Sequence, residues 1–296
     1  MLIMDETAVD DWSPADNPYA IAVSEAQWAR RDVALCVRRI HAGNEVVGGF
    51  DSRQIDARHL CIALRQLLTA ETLEQAALAD LGMDPMVGQT LEQARKRFEL
   101  SLPDITQIRN GLIHFENWSR GLGHGPQSQR VKAGDEPRDV ARAFWGFGYD
   151  ITTDTVSMGP YRINVTAAEE AAAELAHAIY MAARAVDMKN TADHRDAAAQ
   201  VLTDAEVPCA PAGPVQVSAG LDGRVWLSLD STAVAGGAER RTLSRKALSA
   251  LAGAGFGITS LGQFQAADPA LRLAAGQALR IEPCAARQAL ATAPQG

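Results

Sequence analysis

Between residues 52 and 81 the apolar side chains Ile55, Leu60, Ala63, Leu64, Leu67 and Leu68 recur, from Leu60 onward at spacings of three and four. That period is the signature of an amphipathic helix, because a half-buried strand would alternate instead. Gly82 and Pro85 mark its end. Three neighbouring segments are also expected to be helical. Ser24 is expected to cap a helix with Trp28, Val33, Leu35, Val37 and Ile40, stopped by Gly43. A third helix is expected from about Gln89, with Leu91, Ala94 and Phe98 on one side, and Asp104 is expected to cap a fourth. With aromatic residues at only 5% and alanine abundant, closely packed helices fit better than a β-sandwich.

Between Phe144 and Val165 the pattern changes. Tyr149, Ile151, Val156, Tyr161, Ile163 and Val165 sit among turn formers, which predicts two or three short antiparallel strands. Thr166 is expected to cap an Ala-rich helix with Leu175, Ile179, Ala182 and Val186 on one face. Residues 121–137 read as an exposed loop. The fold expected is mainly α: a helical bundle at 24–190 with a short antiparallel β insert at about 145–165, then a small α+β C-terminal domain. Residues 1–23 form a flexible N-terminal arm in this reading, and 191–214 a helix and Pro-rich linker. Residues 215–296 form the second domain, introduced by a hairpin whose alternating Val215, Val217 and Val225, Leu227, Leu229 flank Asp222-Gly223.

Net charge is −8, from 28 basic and 36 acidic residues. That argues against a general duplex-DNA coat protein, whose affinity rests on neutralising phosphates. The apolar runs are shorter than the ~20 residues a membrane span needs. The acidic start lacks the basic and apolar pattern of a secretory signal, so a cytoplasmic chain is expected. Cys36, Cys61, Cys209 and Cys284 show no metal-ligand spacing, and no metal site or other cofactor is expected.

The chemistry concentrates in Asp104 to Gly125. Projected onto one helix at 100° per residue, Ile105, Ile108, Leu112 and Phe115 form an apolar seam, while Asn110, His114 and Asn117 fall on nearly the opposite side. Arg109 can reach the same polar patch. A guanidinium can hold a phosphate and stabilise a phosphorane, and a histidine can move the proton of a ribose 2′-hydroxyl or of the leaving 5′-oxygen. Asn110 can orient either group. One helix supplies one histidine, so acid and base together call for a second copy across a dimer axis. The bland alternative is a surface ion pair of Arg109 or His114 with Asp104 or Glu116. His124, in a Gly-rich stretch, reads as an exposed loop histidine.

Arg109-Asn110-Gly111-Leu112-Ile113-His114 resembles the Arg-X4–6-His signature of HEPN domains, compact helical bundles of which many act as metal-independent ribonucleases in toxin and phage-defence systems. The resemblance covers helices from about residue 24 to 187. It implies an endoribonuclease that cleaves single-stranded or looped RNA, with Arg109, Asn110 and His114 catalytic. It also implies a homodimer, and an antitoxin or other defence-system protein as a possible partner. A non-catalytic HEPN-like scaffold that binds protein or RNA is the alternative. Gly111 and the β insert depart from the usual pattern, and Glu116 stands where one toxin subgroup has a modified tyrosine. Asn117 and Arg120, with the basic cluster Arg240, Arg241, Arg245 and Lys246, are further candidates for RNA contact. Residues 242–269 also loosely resemble helix-hairpin-helix modules.

Overall fold

A computed structural model of the chain describes residues 13–43, 45–259 and 268–283. The described residues are mainly helical, with small antiparallel sheets. The chain divides into two compact units, Met1–Arg184 and Ala185–Gly296. The division falls inside one long helix, upstream of the Pro-rich stretch where a boundary was expected.

In the first unit, helix α1 (Pro18–Ala42) and helix α2 (Ser52–Asp80) form a helical hairpin closed by the two-residue strands β1 (Val46–Val47) and β2 (Phe50–Asp51). The helix starts at Pro18, six residues before the expected Ser24 cap, and a turn of 3-10 helix at Pro14–Asp16 precedes it. The expected arm therefore gives way to structure by residue 13, and its first twelve residues lie outside the described ones. Proline suits the first helical turn, where its missing N–H costs nothing. Ala22, Ala26, Ala29, Val33, Val37 and Ile40 of α1 are buried, as are Leu60, Leu64, Leu67 and Leu68 of α2. The exposed Arg39 guanidinium holds the buried Asp56 across the pair at 3.1 Å.

Helix α3 (Pro85–Ser101) begins four residues before the expected start because Asp84 caps it, accepting from the Met86 amide at 2.9 Å. It returns along α2, and Arg95 meets the buried Glu71 at 2.7 Å. Helix α4 (Ile105–Ile113) and the single turn α5 (Phe115–Trp118) follow. The stretch expected as loop contains a further helix, α6 (Pro126–Lys132), and another, α7 (Pro137–Phe144), starts at its last residue. Gln127 organises that region from within: it is fully buried, accepts from the Gly123 amide at 2.7 Å and donates to the Trp118 carbonyl at 3.3 Å.

The β insert consists of three antiparallel strands, β3 (Phe147–Asp150), β4 (Thr155–Met158) and β5 (Tyr161–Asn164), paired in that order. Val156, Met158 and Ile163 bury one face, as the alternation predicts. The Gln54 side chain pins β3 to α2 by accepting from the Tyr149 amide at 2.9 Å and donating to its carbonyl at 3.2 Å. Helix α8 (Val165–Asp204) follows directly. Thr166 was expected to cap it, but Asp154 and Asn164 take that role. Asp154 accepts from the Thr166 amide at 3.1 Å and its hydroxyl at 2.8 Å, and Asn164 accepts from the Ala167 amide at 2.9 Å.

In the second unit, strands β6 (Val215–Ala219) and β7 (Val225–Leu229) form the predicted hairpin. With β8 (Phe256–Thr259) and β9 (Leu279–Pro283) they make a sheet of order β6-β7-β9-β8. Helices α9 (Gly237–Gly253) and α10 (Pro269–Ala274) accompany it. The core joins Val215, Leu227, Leu229 and Ile281 to Leu251 and Leu273, and to Ala198 and Leu202 at the end of α8. Residues 256–259, within the stretch likened to helix-hairpin-helix modules, form a strand, while residues 260–267 and Cys284 lie outside the described ones.

Candidate active site on helix four

Asp104 stands at the N-cap position of α4 but makes no side-chain capping bond. Its carboxylate instead accepts from the Arg162 amide of β5 at 2.9 Å, so it ties α4 to the sheet rather than closing the helix. Ile105, Ile108 and Leu112 are buried, as the seam predicts, but Phe115, its expected fourth member, is 55% exposed. The helix stops short of it: His114, at φ −105° and ψ 39°, has left helical geometry. On one continuous helix Trp118 would lie roughly 90° from the seam. The break lets Trp118 enter the core, where its ring meets Phe144 edge-on at 6.4 Å and Tyr161 at 6.1 Å, and it turns Phe115 outward. Trp118 is the larger side chain, so the exchange favours burial.

The break also divides the candidate residues. Arg109 and Asn110 remain within α4, both half-buried, and the Arg109 Nη1 donates to the Asn110 Oδ1 at 3.1 Å. His114 sits at the end of the helix with its side chain exposed and its amide donating to the Asn110 carbonyl at 2.9 Å. Asn117 lies beyond the break and donates to the Glu116 Oε1 at 3.1 Å, and Arg120 is exposed. The structure thus joins Arg109 to Asn110 directly, whereas the single polar face projected through Asn117 ends at Ile113. Among the described residues no carboxylate pairs with Arg109 or His114. Asp104 is engaged by the sheet and Glu116 by Asn117. His124 is exposed between two glycines.

A second cation stands near Arg109. Arg65, half-buried on α2, has its pKa lowered, chiefly by burial and then by the positive charges of Arg109 and Arg95, with Glu99 opposing. Arg95 is already neutralised by Glu71 and Glu99, while Arg65 has no carboxylate within ion-pair distance among the described residues. Arg65 and Arg109 therefore leave unbalanced positive charge where α2 and α4 pack. Arg65 is 44 residues from Arg109 in sequence, and no local spacing could have linked them.

No family model, curated protein or solved structure matches this chain.

The C-terminal basic cluster is less available than its sequence suggests. Arg240 donates to the carbonyls of Ser231 at 3.1 Å and Val234 at 3.0 Å, and Lys246 donates to the Glu206 carbonyl at 2.9 Å. Both close loops of their own unit, which leaves Arg241 and Arg245 exposed. Cys36 and Cys61 are buried free thiols whose pKa values burial pushes up to about 11 and about 12, so neither is a ready thiolate. Among the described residues no group of three His, Cys, Asp or Glu side chains is placed to hold a metal ion, and no helix is long and apolar enough to cross a membrane.

Proposed function

We propose that the chain is a cytoplasmic endoribonuclease of the HEPN type, cleaving single-stranded or looped RNA by attack of a ribose 2′-hydroxyl, without a metal ion. The observation that carries this reading is the state of Arg109 and His114. Both are free of carboxylate partners among the described residues, one held half-buried by Asn110 and the other open to solvent at the end of the same helix. Arg109 would neutralise the scissile phosphate as charge builds on the phosphorane, with the charge of Arg65 on α2 adding to the positive field. Asn110 would fix the guanidinium. His114 would take the 2′-hydroxyl proton or give one to the departing 5′-oxygen. The O2′–P bond forms as the P–O5′ bond breaks, leaving a 2′,3′-cyclic phosphate and a 5′-hydroxyl.

A single His114 fills one of those two proton roles, and a homodimer would supply the other. Ile113 is 43% and Phe115 55% exposed on either side of His114. Burying that apolar pair against a second copy would bring two His114 side chains to one cleft. A toxin or phage-defence setting follows from the resemblance, with an antitoxin or other defence protein as the partner that would restrain cleavage. The same exposed pair also suits the second reading, a non-catalytic scaffold that docks a partner protein there.

End-group analysis tests the proposal. Incubation with a labelled single-stranded RNA should yield 2′,3′-cyclic phosphate and 5′-hydroxyl ends, and a 2′-deoxy sugar at the cleaved position should abolish the product. Cleavage that tolerates the deoxy sugar would exclude the mechanism.

A further inference from the structure

Away from α4, the first unit carries an open groove of 540 Å³ between α1 and the N-terminal half of α8. Gln27, Arg30 and Arg31 line it from α1, and His177 and Tyr180 from α8. Its floor is Ala34 and Ala176, whose small side chains keep the two helices from filling the space between them. No carboxylate is among the lining residues. Asp32, adjacent in sequence, lines a different cavity on the α2 side of α1, and Glu174 reaches toward Arg97 instead. In a chain of net charge −8 this is a locally basic trough.

Its cations are uncommitted. Arg30 is exposed, with no carboxylate partner among the described residues. Arg31 is spread along the helix rather than ion-paired: its guanidinium lies 5.9 Å from the Trp28 ring centroid and donates to the Gln27 Oε1 at 3.4 Å. Aromatic surface accompanies the charge, with Tyr180 44% and Trp28 61% exposed, in a sequence with few aromatic residues. Guanidinium groups beside open aromatic faces are the combination that holds single-stranded nucleic acid. The cations follow the phosphates, and each ring offers a stacking platform that any unpaired base can use. Gln27 and His177 add polar groups able to meet base edges or a 2′-hydroxyl.

We propose that this groove between α1 and α8 binds single-stranded RNA, with Arg30 and Arg31 on the phosphates and Tyr180 stacked on a base. A duplex keeps its bases stacked on one another and would satisfy only the charges. The choice of RNA rests on the ribonuclease reading, but the groove residues lie outside the residues assigned to cleavage, so the two can fail separately.

Fluorescence anisotropy on the full chain tests the groove. The probe is a labelled single-stranded RNA of about ten nucleotides, and His114→Ala is present throughout to prevent turnover. Affinity is read between about 50 and 200 mM salt. Replacing both arginines (R30A/R31A) should weaken binding and reduce the slope of log affinity against log salt by about 1.4, at ~0.7 per lost phosphate contact. Tyr180→Ala should weaken binding roughly 5- to 100-fold with the slope unchanged, and Tyr180→Phe should retain it. All these positions are at the surface, and thermal unfolding should match the parent. The groove proposal is overturned if the parent fails to bind RNA, if these variants bind as the parent does, or if duplex RNA or polyglutamate competes as well as the single strand. Binding with this pattern in a chain whose His114 form never cleaves would instead sink the ribonuclease reading and leave the groove standing.

Discussion

At Gly111 helix α4 runs so close to its neighbours that an added Cβ would lie 2.5 Å from the Sδ and Cε of Met158 and 2.9 Å from the Trp118 ring. Met158 is flexible but fully buried, and Trp118 is held among other rings, so neither can withdraw freely. In sequence Gly111 looks like a flaw, since glycine inside a helix costs about 1 kcal/mol relative to alanine. In the fold it is what permits the contact. Gly111→Ala should therefore destabilise the chain by roughly 1–3 kcal/mol in chemical denaturation, with overpacking outweighing the gain in propensity. Increased stability would show that the approach is looser than described. Asp154 is the other residue whose role only tertiary structure reveals. It sits at φ 49° and accepts from the His41 Nε2 at 2.9 Å, the Tyr149 hydroxyl at 3.0 Å and Thr166. Partial burial pushes its carboxyl pKa up, but the hydrogen bonds from His41, Thr166 and Tyr149 outweigh burial and hold it below the usual value. A depressed carboxylate contributes stability above its unfolded pKa of about 3.9, and that contribution is lost as pH falls through the folded value. Asp154→Asn, which tolerates positive φ, should unfold more easily at neutral pH and lose less of its stability than the parent on acidification below about pH 4. Equal acid profiles for the two proteins would contradict this.

Among the elements, the long helices were legible because their apolar period is sustained over more than two turns, as in α2 from Leu60 to Leu68. The three strands of the insert were legible from the alternation around Val156 and Ile163. The end of α4 was not. Nothing local distinguishes Phe115 from a fourth seam residue, and the helix stops there because Trp118 finds Phe144 and Tyr161, 26 and 43 residues further along. The helix starts missed at Pro18 and Pro85 have a simpler cause, in that each proline serves as a first-turn residue rather than as a breaker. Within the site, Arg109 and His114 were legible as a motif, whereas Arg65 was not, since only the packing of α2 on α4 brings it into range of Arg109. Because α4 is anchored through its seam, Ile108→Ala should cost about 2–5 kcal/mol of stability, while the exposed Phe115→Ala should change stability by no more than about 0.5 kcal/mol. Comparable losses for the two would mean that the helix continues through His114.

At the scale of the whole molecule, the two units divide the work unevenly in this account. The first holds Arg109, Asn110, His114 and Arg65, and also the groove between α1 and α8. The second spends two of its four clustered cations on its own loops. Catalysis in this account needs a second copy, because each chain brings one His114. The double variant Ile113→Ser, Phe115→Ser should keep its melting temperature yet shift from dimer to monomer in analytical ultracentrifugation, and cleavage should fall with the dimer. A dimer that persists in the variant would move the interface elsewhere. The central claim, that His114 transfers a proton in RNA cleavage, is tested most directly by the single-turnover cleavage rate of a labelled single-stranded RNA in excess chelator. The account predicts measurable cleavage by the parent and a loss of about 10²–10⁴-fold in His114→Ala with unchanged melting. No cleavage by the parent, or equal rates for the two proteins, would contradict it.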